Sequence, residues 1–196
     1  LGEGHVYTEE DIRESARAYT GWGINFTSAA FEFKIRQHDN GIKTVLGESG
    51  NFDGFDVIEI ILKQPRVGRF IAEKLWREFV SLKTDRDEIR RIGALFHQHG
   101  LELKPMLRAV LMSRAFRDQA NRGVLVKSPI DLTIGTMRLV RLKQANLRRV
   151  WIHQKHMGQN LFDPPDVKGW RGGKAWITSA TTLQRNRFLR QIYRGY

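Results

Sequence analysis

Apolar residues recur at helical spacing along most of this chain, and that pattern predicts amphipathic α-helices. The broadest apolar stripe lies between Val67 and Val80, and Pro65 precedes it at a position that favours the first turn of a helix. Caps and periodicity predict helices that follow Thr8, Asp53 and Pro65 and then occupy residues 85–99, 105–116, 129–142, 147–157 and 178–193. We therefore expect a mainly α fold, a multi-helix globular domain.

A different pattern interrupts the helices at residues 31–47. The stretches FEFKIR and IKTVLG both alternate apolar and polar residues, and QHDNG between them contains the turn-forming pair Asn40-Gly41. This pattern predicts one small β-hairpin in which the two stretches pair. Because an isolated hairpin is marginally stable in water, we expect it to pack on the helices or to pair with another strand.

The length of 196 residues suits one domain, so we predict a single domain over residues 1–196. The chain contains no cysteine, which excludes disulfides, thiolate metal sites and cysteine nucleophiles. No apolar run approaches the roughly 20 residues that a membrane-spanning helix requires, so no membrane span is expected. The sequence begins at Leu1 rather than Met, which suggests a fragment, a mature form or a processed product.

The net charge is distributed unevenly. Residues 119–196 hold 15 Lys and Arg against 3 Asp, which accounts for the whole formal charge of +12, while residues 1–118 are balanced. This asymmetry indicates an anionic partner for the C-terminal part, either an anionic polymer or surface or an acidic protein. The alternative is that the region of the same protein N-terminal to this chain supplies compensating acidic residues.

A basic run without any acidic residue occupies residues 138–155 and includes Lys143 and Lys155. Its only aromatic residue is Trp151, and no helix-turn-helix or nucleic-acid-binding sheet motif accompanies it, so sequence-specific DNA recognition is not expected. Non-specific binding of a polyanion is the functional interpretation, and a solvated helix face is the structural alternative. With two loop residues added, the predicted anion-binding residues are Arg138, Arg141, Arg148, Arg149, Arg171 and Lys174.

His153 and His156 lie three residues apart on a predicted helix, where two imidazoles can share one face. The spacing differs from the His-Glu-x-x-His motif of zinc hydrolases, and a third ligand would have to come from Asp163 or Asp166. The sequence therefore predicts neither a metal site nor a cofactor, although these two histidines are the candidates for a ligand pair.

Acid–base chemistry has three candidates, His38, Asp163 and Asp166. No Ser, Cys or Thr is tied to the His38-Asp39 pair by a recognised motif, so turn formation by Asp39 is the better explanation of that pair. A hydrolase is the alternative function. Its site would lie where the HDNG hairpin meets the DPPDVKGW loop, with Asp163 or Asp166 as acid or base and His38 or His156 as partner.

The stretch DPPDVKGWRGGKAW, residues 163–176, combines prolines and glycines with two tryptophans. Tryptophans in such loops commonly fill a core, because burying an indole is strongly favourable. Binding loops have the same composition, with the indole as a platform and Arg171 or Lys174 as the anion contact. Both interpretations of this loop stay open.

Several longer motifs are recognisable as a set, among them YTEEDIRESARAYTGW, HDNGIKTVLGESGNFDGFDVIEIIL, VKSPIDLTIGTMR and MGQNLFDPPDVKGWRGGKAWITSATTLQRNRF. Their order and spacing resemble the C-terminal half of the bacterial proteins grouped as domain-of-unknown-function family 1800. The resemblance implies a longer protein with a helical N-terminal region, frequent export and therefore a periplasmic or cell-envelope location. It also implies frequent pairing with a second exported family, but it brings no established activity and no catalytic residues.

The leading hypothesis is therefore a helical binding or scaffold module of a bacterial protein. Its basic C-terminal third would contact an anionic polymer, an acidic protein or a charged surface, and the absent N-terminal region would be a further partner.

Overall fold

The computed structural model describes residues 7–142 and 146–194. Within these ranges the chain forms nine α-helices and two small antiparallel sheets, so the mainly α class is confirmed. The chain divides into two compact units, unit 1 up to Arg117 and unit 2 from Asp118 onward. The single domain expected over residues 1–196 stays a prediction. None of the helices in the described ranges has the length and apolar character needed to cross a membrane.

Unit 1 contains four short strands and six helices within its described residues. They are α1 Glu9–Ala18, β1 Trp22–Asn25, β2 Ala30–Phe33, β3 Lys43–Val45, β4 Glu48–Gly50, α2 Gly54–Lys63, α3 Pro65–Phe79, α4 Arg86–Gln98, α5 Leu103–Met112 and α6 Arg114–Arg117. In the described part of unit 2, the helices are α7 Pro129–Leu139, α8 Leu147–His156 and α9 Ser179–Tyr193.

The predicted helix starts are confirmed by their caps. Thr8 and Asp11 form a capping box at α1, in which each side chain accepts a hydrogen bond from the backbone N–H of the other residue. Asp53 and Asp56 form the same arrangement at α2. Pro65 occupies the first turn of α3, where its missing N–H costs no helical hydrogen bond.

Two predicted helices have different bounds. The helix predicted over 105–116 breaks at Ser113, whose backbone is extended and whose hydroxyl accepts a hydrogen bond from the Phe116 N–H. The helix predicted over 129–142 ends at Leu139, because Arg141 adopts a left-handed conformation with φ of 50°. Within the basic run of residues 138–155, Arg138 therefore lies on α7, Arg141 lies in the turn after it, and Lys143 lies outside the described residues. The basic residues Arg148, Arg149 and Lys155 lie on α8.

The pairing of the strands also differs from the predicted one. β1 pairs with β2, with Trp22 opposite Phe33, and β3 pairs with β4. The turn between β3 and β4 is Leu46-Gly47, and both residues have positive φ, as a type I′ turn requires. Residues 31–47 are therefore divided between two hairpins, and the HDNG segment connects them.

The main core of unit 1 lies between α3, α4 and α5. Ile92, Met106 and Val110 are completely buried there. Trp76 is also buried, and its indole N–H donates to the Lys83 carbonyl oxygen at 3.1 Å. This bond gives the large ring both apolar burial and a partner for its one donor. A smaller cluster joins α1, β3 and α2 through Ala18, Val45, Val57 and Ile60.

α3 and α4 cross at two glycines. A Cβ on Gly68 would lie 2.2 Å from the Gly93 carbonyl oxygen, and a Cβ on Gly93 would lie 2.8 Å from the Arg69 backbone nitrogen. Since no side chain fits at either position, the two helix backbones are in direct contact. This close crossing fixes the relative position of the side chains on either side of it.

Unit 2 is built from α7, α8 and α9, which pack against one another around the completely buried Phe188. Two buried glutamines join the helices. Gln154 Nε2 donates to the Thr133 hydroxyl at 2.7 Å, and the Ile130 N–H donates to Gln159 Oε1 at 3.0 Å. These bonds satisfy polar groups that would otherwise be costly to bury.

Candidate functional site

The HDNG segment, residues 38–41, is held on α1 by Arg17. The Arg17 guanidinium contacts the Asp39 carboxylate through two nitrogens, at 2.7 and 3.2 Å. Asp39 also accepts a hydrogen bond from the Gly41 N–H at 2.8 Å. Mainly because of the Arg17 contact, the pKa of Asp39 falls to about 2. These bonds explain why Asn40-Gly41 does not form a hairpin turn: the side chain of Asp39 closes the turn locally.

His38 makes a packing contact and a local hydrogen bond. Its Nδ1 lies 2.9 Å from the Thr20 carbonyl oxygen, so Nδ1 donates the proton, and its ring packs edge-on against Phe33. His38 belongs to unit 1, whereas Asp163 and Asp166 belong to unit 2. Their convergence in a hydrolase site stays a prediction.

The ion pair of Asp39 predicts a loss of stability in acid. A carboxylate whose pKa is depressed in the folded state stabilises the fold above its unfolded pKa and stops doing so as pH falls through its folded pKa. For Asp39 that window runs from the ordinary value of 3.8 down to about 2. Asp39→Asn should therefore melt at a lower temperature than the parent protein near neutral pH, and the difference should shrink across this window.

Scanning fluorimetry at a series of pH values measures this difference. Asp87→Asn is the control, because the Asp87 carboxylate is exposed and its one ion pair with a described residue is with Arg90, at 3.4 Å. We expect no comparable difference for the control. A gap between Asp39→Asn and the parent protein that stays constant down to the lowest pH would contradict the assignment.

Lys43 is completely buried. Its ammonium donates to the Asp39 carbonyl at 2.5 Å, to the Gly41 carbonyl at 3.1 Å and to Asn51 Oδ1 at 3.3 Å. A fully buried lysine is rare, and it requires acceptors for its donors. Sequence reasoning missed this role because the alternation in IKTVLG assigns Lys43 to solvent and Ile42 to the core, whereas Ile42 is 67% exposed.

Two carboxylates of α1 hold the β3–β4 hairpin. Asp11 Oδ1 accepts from the Leu46 N–H at 2.6 Å, and Glu14 accepts from the Thr44 N–H at 3.1 Å. The backbone hydrogen bond from Thr8 lowers the pKa of Asp11, and the side-chain hydrogen bond from Arg17 lowers the pKa of Glu14. Two carboxylates of the motif YTEEDIRESARAYTGW therefore bind the backbone of the motif that begins with HDNG.

His153 and His156 have different surroundings on α8. His153 Nε2 lies 2.7 Å from Gln191 Oε1, and its ring packs edge-on against Phe188. His156 is exposed at the end of the helix. In the ranges that the structure describes, no group of three or more His, Asp and Glu is arranged to hold a metal ion. The contacts of His153 are with α9, and the role of the two histidines as a ligand pair stays a prediction.

Asp163 and Asp166 are exposed and make local contacts in the loop after α8. Asp163 accepts from Asn160 Nδ2 at 2.9 Å, and Asp166 accepts from the Lys168 N–H at 2.7 Å. Such short-range bonds are typical of Asp in turns. The catalytic role of either residue stays a prediction.

The loop DPPDVKGWRGGKAW is buried at its second tryptophan. Trp176 is 8% exposed, and Trp170 is half-buried. In contrast, Phe162 before the loop and Val167 within it are almost completely exposed. The loop is therefore buried at Trp176, while the segment around Val167 projects into solvent.

The VKSPID motif fixes the start of α7. Ser128 and Asp131 form a capping box, and an Arg185 guanidinium nitrogen donates to the Lys127 carbonyl oxygen at 2.8 Å. Burial lowers the pKa of Arg185. The sequence could not assign this role to Arg185, because the partner lies far away in the chain.

All six predicted anion-binding residues are exposed, and none is ion-paired to a carboxylate within the described part of the chain. The acidic residues of unit 2 are used locally. Asp118 accepts from the Ala120 N–H, and Asp131, Asp163 and Asp166 have the contacts given above. The positive charge of these six residues therefore faces solvent.

One face of α8 combines basic and aromatic side chains. Arg148, Trp151 and Lys155 have the spacing that places them on the same side of the helix, and all three are exposed. The Lys155 ammonium lies 5.5 Å from the centroid of the Trp151 ring, and the indole N–H donates to Asn160 Oδ1 at 2.9 Å. We call these three residues the α8 stripe. It presents an oriented indole between two cations.

Comparison with known proteins places this fold in a family. The family model described as "Protein of unknown function (DUF1800)" matches residues 1–194, which includes every helix and strand given above. No curated protein and no solved structure matches the chain. The match agrees with the family resemblance of the sequence motifs. Those motifs include α1, the β3–β4 hairpin and the start of α7. The chain belongs to the family of proteins of unknown function DUF1800.

Proposed function

We propose that unit 2 is a binding module for an anionic polymer. The observation that carries the proposal is the α8 stripe, in which Trp151 is exposed between Arg148 and Lys155 and is oriented by Asn160. An exposed aromatic ring can stack on the rings of a polymer, while neighbouring cations contact its charged groups. The exposed Arg149 adds a further cation next to the stripe.

The charge distribution supports the same function. Unit 2 holds 15 Lys and Arg against 4 Asp, and its Asp side chains accept local hydrogen bonds in caps and turns. An excess of one sign attracts a polyanion and releases its counterions on binding, so the affinity depends on salt. The proposed setting is a longer bacterial protein of the periplasm or cell envelope, as the family resemblance implies.

Arg148→Gln combined with Arg149→Gln should weaken binding of a fluorescently labelled heparin oligosaccharide by about 10-fold at low salt. Each lost cation also removes one released counterion, so the slope of log affinity against log salt should become shallower by about 2. Fluorescence anisotropy at several salt concentrations measures both quantities. Arg77→Gln combined with Arg91→Gln is the control, because it removes the same charge from exposed residues of unit 1.

Trp151→Ala tests the contribution of aromatic stacking to binding separately from the contribution of charge. It leaves the cations in place, so it should lower the affinity while the salt slope stays near that of the parent protein. A labelled single-stranded oligonucleotide serves as a second polymer in the same assay. If affinity for both polymers is independent of salt, or if the unit 1 control weakens binding as much as the unit 2 variant, the proposed function is wrong.

A further inference from the structure

A second basic site lies in unit 1, in a pocket of about 460 Å³ between α3 and the start of α4. Its lining contains four arginines, one carboxylate and one hydroxyl, namely Arg66, Arg69, Glu73, Thr84, Arg86 and Arg90. The lining therefore carries a formal charge of +3. All residues of this lining belong to unit 1, whereas the α8 stripe belongs to unit 2.

Helical spacing directs these side chains into one space. Arg66, Arg69 and Glu73 occupy one side of α3, and Arg86 and Arg90 occupy one side of α4. The contact between Gly68 and Gly93 fixes the two helix backbones against each other. A ligand therefore has to order the exposed arginine side chains but not the helices that carry them.

The arginines of the pocket differ in their partners. Arg66 is paired with Glu73 at 3.0 Å, and this pair is mostly buried. Arg90 reaches Asp87 at 3.4 Å, a contact that is largely exposed. Arg69 and Arg86 form no ion pair with any carboxylate of the described residues.

Other arginines of unit 1 also differ in their partners. Arg13, Arg17 and Arg91 each pair with a carboxylate at 2.9 Å or less, whereas Arg77 and Arg108, like Arg69 and Arg86, pair with none in the described residues. Arg69 and Arg86 are distinguished by lining one pocket with two further arginines, and a bound anion offsets the repulsion between such like charges. The unpaired guanidinium groups of the pocket are therefore available for an external anion.

We propose that this pocket binds the phosphate group of a phosphate ester. Guanidinium groups match the geometry of phosphate oxygens through paired N–H donors, and arginine is the preferred residue for such contacts. Arg69 and Arg86 approach from two different helices, and Thr84 adds a hydroxyl donor. The volume lies within the range of small-molecule sites, which is why the ligand is an ester with an organic part and not a lone ion.

Titration of the ¹⁵N-labelled protein with inorganic phosphate, glycerol phosphate and acetate tests this site by NMR. We expect saturable shifts of the Thr84 and Arg86 backbone amides with both phosphates, tighter binding of glycerol phosphate and no saturation with acetate. Arg69→Gln combined with Arg86→Gln should raise the Kd for glycerol phosphate by at least about 10-fold, the loss expected when charge-assisted bonds are removed. Neither residue forms an ion pair within the described ranges, so the variant should stay folded.

Arg77→Gln combined with Arg91→Gln is the matched control, since both residues lie on α3 and α4 but outside the pocket lining. It should leave the Kd within about 2-fold, because neither side chain lines the pocket and both are exposed, where solvent and salt screen their charge. Equal losses in the two variants, or saturable binding of inorganic phosphate without any binding of glycerol phosphate, would overturn the proposal. Arg148→Gln/Arg149→Gln should not affect this titration, so failure here is distinguishable from failure of the polymer-binding function.

Discussion

Gly68→Ala is expected to lower the free energy of unfolding by at least about 3 kcal/mol, because the new methyl group collides with backbone and not with a movable side chain. Its Cβ would lie 2.2 Å from the Gly93 carbonyl oxygen, so α3 and α4 would have to separate. Separation would also loosen the contacts of Ile92 and Trp76 in the adjacent core. Alanine gains about 1 kcal/mol of helix propensity over glycine, which offsets only part of this loss.

Gly135→Ala is the matched control, and it is expected to raise the free energy of unfolding instead of lowering it. Gly135 is exposed on α7, and a Cβ there would meet no atom within 4 Å. Because only helix propensity changes, the variant should gain about 0.5–1 kcal/mol. Urea unfolding followed by circular dichroism measures both variants. If Gly68→Ala unfolds at the same urea concentration as the parent protein, the backbone contact between α3 and α4 is not as described.

Lys43→Met is expected to cost about 2–3 kcal/mol of stability, the range for leaving buried polar groups without partners. Methionine resembles lysine in shape, so packing around β3 is retained. The variant instead leaves the Asp39 and Gly41 carbonyls and Asn51 Oδ1 without their shared donor. Part of the loss is recovered because a buried ammonium no longer has to be desolvated.

Lys83→Met is the control for this substitution. Lys83 is exposed, and only its backbone takes part in hydrogen bonds in the described residues. The control should change stability by less than about 0.5 kcal/mol, as is usual for surface substitutions. Equal unfolding midpoints for the two variants would show that the Lys43 ammonium does not hold the HDNG segment in place.

The helices of this protein could be predicted because their signals are local. Thr8 with Asp11 and Asp53 with Asp56 specify helix starts within a single turn, and Pro65 marks another. The strands could not be paired correctly in the same way. The alternation of FEFKIR and IKTVLG is real, but Arg17 binds Asp39 from a distant part of the chain and removes the apparent hairpin turn.

The candidate sites could likewise be predicted only where they do not depend on contacts between distant parts of the chain. The exposed cations of unit 2 follow from composition, because charged residues without nearby acids are found at the surface. The arginine pocket of unit 1 does not follow from composition. Arg69 and Arg86 lie on different helices in a charge-balanced part of the sequence, and the packing of α3 on α4, with its crossing at Gly68 and Gly93, brings those helices together.

The buried hydrogen bond between Gln154 and Thr133 favours one packing of α8 against α7 over the alternatives. Apolar surfaces on α7 and α8 would tolerate a slip of one helix along the other, since contacts between aliphatic groups are not directional. A slip of one turn would leave both polar side chains buried without partners. Unit 2 therefore uses this pair to select a single alignment of its helices, a role in which polar groups contribute more to uniqueness than to net stability.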